Sequence, residues 1–152
     1  MWGRRNLRET MAGMSVDLDA RLRHAFEGGD PGVISAYLFG SHAEDRAHRD
    51  SDVDVAVLLD WAQYPSRARR FDARVQLSGH IGHALGRNDV DLVILNDAPP
   101  TLARAIVSRG VRVFCRDAAA DHVFVRTTLL RAADLEPFLR RTRRVKLAAI
   151  RG

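Results

Sequence analysis

Residues 37 to 59 contain two apolar runs, and a polar, turn-prone segment separates them. The first run ends at Gly40 and Ser41, and the second opens with Asp52 and Asp54. Short apolar runs bounded by turn residues are typical of strands, so the sequence predicts a strand over about 33–39, a polar loop over 42–51 and a second strand over about 53–59. Because side chains alternate along a strand, the two aspartates project from the same face.

Two carboxylates held side by side repel each other unless water or a cation neutralises them. Mg²⁺ prefers hard oxygen ligands and binds one or two carboxylates together with substrate phosphates. Two such ions, about 3.5–4 Å apart, can serve the attacking and leaving oxygens of an in-line nucleotidyl transfer. Gly40 permits close backbone approach to a ligand, and Ser41 adds a hydroxyl and an N–H for a phosphate. An ordinary hairpin with solvated aspartates is the alternative for the Asp-x-Asp pattern alone.

The Gly-Ser strand end followed by Asp-x-Asp resembles the signature of the nucleotidyltransferase fold in the DNA polymerase β superfamily. The interval of ten residues between Ser41 and Asp52, and the small size, are most similar to minimal nucleotidyltransferases that act as antitoxins beside HEPN toxins. The resemblance implies an α/β (α+β) fold with a small mixed sheet and helices packed mainly on one face. It implies a magnesium-dependent enzyme, with two Mg²⁺ ions, that transfers AMP from ATP to a tyrosine hydroxyl of a cognate HEPN ribonuclease toxin and so neutralises it.

A third carboxylate is implied by the same resemblance, and Asp91 is the candidate because it opens a later strand after a long helix. That strand is apolar on both faces apart from Asp91, which predicts a central position in the sheet. Asp89 is the competing residue, but it follows a turn in which solvation explains it. The predicted catalytic and metal-binding residues are therefore Asp52, Asp54 and Asp91, with Gly40 and Ser41 binding the nucleotide.

The loop after Ser41 departs from the family pattern. Many relatives have a basic residue and a glycine there, whereas this chain has Glu44 and Asp45. Two acids near a triphosphate weaken nucleotide binding, unless Arg46 and Arg49 compensate by folding back over the phosphates.

At 152 residues the chain is expected to form one nucleotidyltransferase domain over 14–152, after a mobile N-terminal lead-in over 1–13. The single Cys115 excludes an internal disulfide framework. No run is long enough to span a bilayer and the start lacks an apolar signal core, so a cytoplasmic protein without membrane contact is expected.

The net charge of +5 is concentrated toward the C-terminus, where six basic residues follow Glu136. Such a run can attract nucleic acid or an acidic partner, or it can be a solvated helix face. No aromatic residues interleave with these arginines, so direct nucleic-acid binding is not expected.

Periodicity and turn residues predict the remaining elements. They are a helix starting at Ser15 or Asp17; a helix over 66–85 with Phe71, Val75, Ser78, Ile81 and Leu85 inward; strands over 90–95 and 111–115; a short helix from Pro99 or Pro100; a helix over 118–133; and a last helix capped by Asp134 with Pro137 in its first turn.

Two other functions remain open from the sequence. One is adenylylation of a small hydroxyl substrate such as an aminoglycoside, although such enzymes usually carry extra helical mass. The other is a non-catalytic antitoxin that blocks its toxin by binding, with or without formation of a stable hetero-oligomer.

Overall fold

The computed structural model describes residues 5–44 and 51–151, which form four strands and four α-helices. The elements are α1 (Arg5–Glu27), β1 (Val33–Phe39), β2 (Val53–Leu59), α2 (Arg67–Leu85), β3 (Val90–Ile94), α3 (Pro100–Arg109), β4 (Val111–Cys115) and α4 (Ala118–Arg151), with 3₁₀ turns at Gly40–His42 and Leu95–Asp97.

The strands form one mixed sheet in the order β3-β2-β1-β4. β1 pairs antiparallel with both β2 and β4, whereas β2 and β3 run parallel. A parallel pair needs a crossover connection, and α2 supplies it. The mixed sheet confirms the predicted fold class.

Helices cover both faces of the sheet, which differs from the one-sided arrangement that the resemblance implied. The odd-numbered residues of β2, from Val53 to Leu59, pack in one cluster with α1 and α2. Ala56 and Leu58 pack on the other face with α3 and with Phe124 of α4. Because the two central strands are apolar on both faces, each face needs its own layer of helices.

β3 is an edge strand, so the predicted central position is wrong. Its apolar side chains are nevertheless covered on both faces, Leu92 and Ile94 in the cluster with α2 and Val93 in the other. The apolar side chains on both faces of β3 therefore indicate that helices cover both faces. They do not indicate that β3 has a neighbouring strand on each side. Asp91 is exposed.

α2 begins after Ser66, whose side chain accepts a hydrogen bond from the Arg69 N–H at 3.2 Å. The inward residues are Arg70, Ala73, Leu77, Ile81 and Leu85. The first half of the predicted stripe is wrong, because Phe71 and Val75 are 59% and 58% exposed. The buried apolar residues are spaced four apart and form one line along the helix, and Phe71 and Val75 lie off that line.

Two helix boundaries also differ from prediction. α1 begins at Arg5, so part of the expected lead-in is helical: Leu7 and Met11 extend toward the N-terminus the spacing of three or four residues that the later apolar residues of α1 have. α4 runs unbroken through Pro137, and Asp134 caps nothing. The proline nitrogen cannot donate to the carbonyl four residues earlier, but good helix formers on both sides continue the helix. None of the helices in the described ranges is long and apolar enough to cross a membrane.

Candidate active site

Gly40 lies where β1 turns away from the sheet, and its backbone is left-handed, with φ of +73°. A Cβ added at this position would collide with the Asp54 carboxylate. Glycine is therefore required twice over, for its conformation and for the closeness of the carboxylate. Ser41 follows in the same 3₁₀ turn and is half-buried.

Strand register brings the predicted acidic residues together. Phe39 is the partner of Asp54 across β1 and β2, and Asp54 is the partner of Asp91 across β2 and β3. Register partners on neighbouring strands project to the same face, so Asp91 lies beside Asp54 and not across the sheet from it. Asp52 precedes Asp54 by two residues and lies just outside the strand.

The charges at this mouth affect one another. The pKa of Asp54 is raised, first because the carboxyl is partly buried and then because of the negative charges of Asp91 and Asp52. The positive field of His42 acts in the opposite direction. The site therefore carries an excess of negative charge that a bound cation would relieve.

Asp89 and Asp91 have different surroundings. Asp89 accepts hydrogen bonds from Arg87 at 2.6 and 2.7 Å, which lowers the pKa of its carboxyl. Asp91 forms a longer ion pair with Arg74, at 3.8 Å, and both side chains are substantially exposed. Asp89 is thus occupied in fixing the turn, whereas Asp91 is the member of the pair next to Asp54.

Arg87 is a residue of the site that sequence reasoning missed. Its guanidinium donates to the Ser51 carbonyl at 2.6 Å while it holds Asp89. The Asp89 carbonyl in turn accepts from the Val53 N–H at 2.9 Å. These bonds fix the backbone on both sides of Asp52. No sequence signal could reveal them, because Arg87 and Ser51 are 36 residues apart.

The acidic loop is only partly described. Glu44 is exposed, and its N–H donates to the Gly40 carbonyl at 3.2 Å. Asp45, Arg46 and Arg49, with the compensation proposed for the two arginines, lie outside the described residues.

Sequence reasoning also missed the carboxylate of Asp121 in α4. It is 2% exposed and accepts hydrogen bonds from Ser35 at 2.6 Å, Tyr37 at 2.8 Å and Arg112 at 2.8 Å. Burial, followed by the bond to Asp121, raises the pKa of the Tyr37 phenol, which stays protonated and donates. This network joins α4 to β1 and β4 and so supports the sheet behind the site.

Within 5–44 and 51–151, no three acidic, histidine or cysteine side chains converge closely enough to hold a metal ion by themselves. Mg²⁺ does not require such a cage, since it usually takes one or two carboxylates and completes its shell with water and substrate phosphates. The mutual repulsion around Asp54 and the oxygen-only donor set fit that ion.

The family model described as "Polymerase beta, Nucleotidyltransferase" matches residues 22–119, which include the turn at Gly40 and all three aspartates. The chain belongs to this family. It is 38% identical over 86 residues to the protein adenylyltransferase MntA of Shewanella oneidensis, a match over 55% of this chain and 55% of that relative. The chain thus matches about half the length of that curated relative.

Solved structures resemble the chain over a larger share of its length. A crystal structure of a toxin–antitoxin with AMP-PNP matches with a TM-score of 0.61 and 25% identity, over 88% of this chain and 98% of the other. A chain of the MntA–HepT toxin–antitoxin matches with a TM-score of 0.58 and 24% identity, over 89% and 97%. A complex of tri-AMPylated Shewanella oneidensis HEPN toxin with its MNT antitoxin gives 0.60 and 22%, over 91% and 99%. The last two support the nucleotidyltransferase fold alone.

Proposed function

We propose that this chain is an antitoxin nucleotidyltransferase that transfers AMP from ATP to a tyrosine hydroxyl of a cognate HEPN ribonuclease toxin. The observation that carries the proposal is the packing of Gly40 against Asp54, with Asp91 in register beside it. The similarity to a protein adenylyltransferase supports a protein as the acceptor. The proposed reaction consumes ATP, which is abundant in the cytoplasm, so we propose that this chain acts there.

Asp52, Asp54 and Asp91 are the proposed metal ligands, and each ion would take one or two of these carboxylates and complete its coordination with water and the nucleotide's phosphates. Mg²⁺ bound there would supply neutralisation of the phosphate charge during transfer. Gly40 and Ser41 form the turn that holds the β and γ phosphates through backbone N–H groups and a hydroxyl.

Asp91 is the proposed acceptor of the tyrosine proton, since its side chain is 61% exposed and lies in register beside Asp54. The phenolic oxygen attacks the α-phosphorus and forms a new P–O bond. The bond from the α-phosphorus to its bridging oxygen breaks, and pyrophosphate leaves. Positioning of the two reactants contributes much of the acceleration.

The test is transfer of label from α-labelled ATP to the cognate toxin, with wild type and the Asp52→Asn, Asp54→Asn and Asp91→Asn variants. Removal of a group that stabilises the transition state typically costs about 10²–10³-fold in rate, so each variant is expected to lose at least that much. Asp72→Asn, which removes the same charge at an exposed position of α2, is the control and retains full activity. EDTA abolishes transfer, and added Mg²⁺ restores it.

Other results would support the other functions. If Asp52→Asn and Asp54→Asn still neutralise the toxin in cells, the chain acts by binding and not by catalysis. If label reaches aminoglycosides and not the toxin, the enzyme modifies small hydroxyl substrates.

A further inference from the structure

We infer that a groove along the free edge of β3 is the docking site for the acceptor, and that it binds an extended segment of the acceptor protein as an added strand. The inference rests on the proposed function and extends it, because it assigns a surface that selects the protein substrate.

The groove lies between the N-terminal half of α2 and the start of α3. Its floor is β3 from Leu92 to Ile94, Phe71 and Arg67 line the α2 side, and Leu102 lines the α3 side. Its volume is about 280 Å³, just below the range of pockets that enclose small molecules. The space suits one or two side chains of a passing peptide.

The edge of β3 offers backbone groups to such a peptide. Among the described residues, β3 pairs with β2 alone. The Val53 N–H donates to the Asp89 carbonyl, so by alternation the N–H and C=O of Asp91 face β2 and those of Leu92 point away from it. Strand addition uses this arrangement: main-chain hydrogen bonds provide affinity and flanking pockets provide selectivity.

The flanks of the groove are apolar and exposed. Phe71 is 59% exposed on α2, and Leu102 is 39% exposed on α3. Both would lose contact with water if side chains of an added strand lay between them. Phe71 is not part of either core cluster, and contact with an added strand would explain why this large apolar side chain is exposed.

The groove also leads to the candidate active site. Arg74 lines the groove and forms the ion pair with Asp91, so the open end of the groove adjoins that carboxylate. If an added strand continues beyond the first residue of β3, a tyrosine in that strand would lie next to Asp91 and the other two aspartates.

Charge favours an acidic segment. Arg67 and Arg74 line the groove, while its one acidic residue, Asp97, accepts two hydrogen bonds from Arg70 at 2.8 and 2.9 Å. The rim is therefore cationic. The occupant that fits is an extended, tyrosine-containing segment of the acceptor with at least one acidic residue near the tyrosine.

The experiment compares Phe71→Glu and Arg67→Glu with Phe138→Glu, a control that places the same charge at another exposed phenylalanine, on α4. The probe is the cognate HEPN toxin. We expect KM for the toxin to rise at least about tenfold in both groove variants while KM for ATP and kcat change less than about twofold, since only acceptor binding is removed. The control should behave as wild type, and thermal melts should show that all three variants are folded.

A second measurement does not depend on catalysis. Hydrogen exchange at the Leu92 amide is followed on adding the toxin without ATP, and slower exchange is expected from strand pairing. Unchanged exchange at Leu92, or groove variants with the same KM as the control, would overturn the inference even if AMP transfer is confirmed. Protection of Leu92 without AMP transfer would support the docking site and reject the proposed catalytic function.

Discussion

Replacing Gly40 with alanine tests the geometry of the candidate site most directly. The backbone there has φ of +73°, and a left-handed conformation costs an L-residue about 1–2 kcal/mol. The new Cβ would also displace the Asp54 carboxylate, and forcing a side chain off its rotamer costs about 0.5–1.5 kcal/mol. The sum predicts that Gly40→Ala lowers the free energy of unfolding by about 1.5–3.5 kcal/mol, in addition to abolishing AMP transfer.

Gly86 provides the control. Its φ of +64° is close to that of Gly40, but no described atom outside its own neighbourhood lies within 4 Å of the Cβ that an alanine would add. Gly86→Ala therefore carries the conformational cost alone, about 1–2 kcal/mol. Urea denaturation of both variants, compared by their midpoints at a common slope, separates the two contributions.

A double-mutant cycle isolates the collision further. In an Asp54→Ala background the carboxylate is gone, so Gly40→Ala should cost no more than Gly86→Ala. The coupling between positions 40 and 54 is expected to be about 0.5–1.5 kcal/mol. If Gly40→Ala and Gly86→Ala destabilise equally and the coupling is zero, the glycine does not pack against the carboxylate and the reasoning fails.

Three further predictions concern charged side chains. Asp54→Asn should raise the Tm of the metal-free protein by about 2–4 °C, because it removes roughly 1 kcal/mol of repulsion at a half-exposed site, and should abolish AMP transfer; calorimetry measures it. Asp121→Ala should lower the free energy of unfolding by about 2–4 kcal/mol, measured in urea, because buried donors lose their acceptor. Arg87→Ala should reduce kcat of AMP transfer by about tenfold through misplacement of the site, measured at saturating ATP.

Asp72→Asn is the control for Asp54→Asn. Because Asp72 lies on an exposed face of α2, this change should leave Tm unchanged. The carboxylate of Asp54 is ionised and repelled by its neighbours at neutral pH, and this repulsion fades as pH falls through its raised pKa, so the gain from Asp54→Asn must fade as well. The Asp117 side chain accepts a hydrogen bond from the Ala120 N–H at the start of α4, so Asp117→Ala should cost about 1 kcal/mol, the usual cost of losing a helix cap. An equal cost for Asp121→Ala would contradict the buried network. Arg87→Lys should recover part of the lost rate, and identical rates for both Arg87 variants would exclude a charge-dependent role.

Much of the candidate site was predictable from the sequence because it is local. Gly40 and Ser41 directly follow β1, and Asp52 and Asp54 lie at the start of β2, the next strand along the chain. Consecutive strands joined by one loop commonly pair antiparallel, so the sequence itself brings these residues together. Strand alternation then places Asp52 and Asp54 on one face. The bounds of β1, β2 and β4 were predicted for the same reason, since each is a short apolar run between turn residues.

The tertiary structure decided what depends on distant partners. The position of Asp91 beside Asp54 requires β3 to lie parallel to β2, which α2 determines by its crossover. The inward side of α2 and the links from Arg87 to Ser51 and from Asp121 to Tyr37 also follow from contacts between elements. The physical reason is that alternation and turn chemistry act between neighbours in the chain, whereas the orientation of a helix and the partner of a buried charge are set by whichever surfaces pack together.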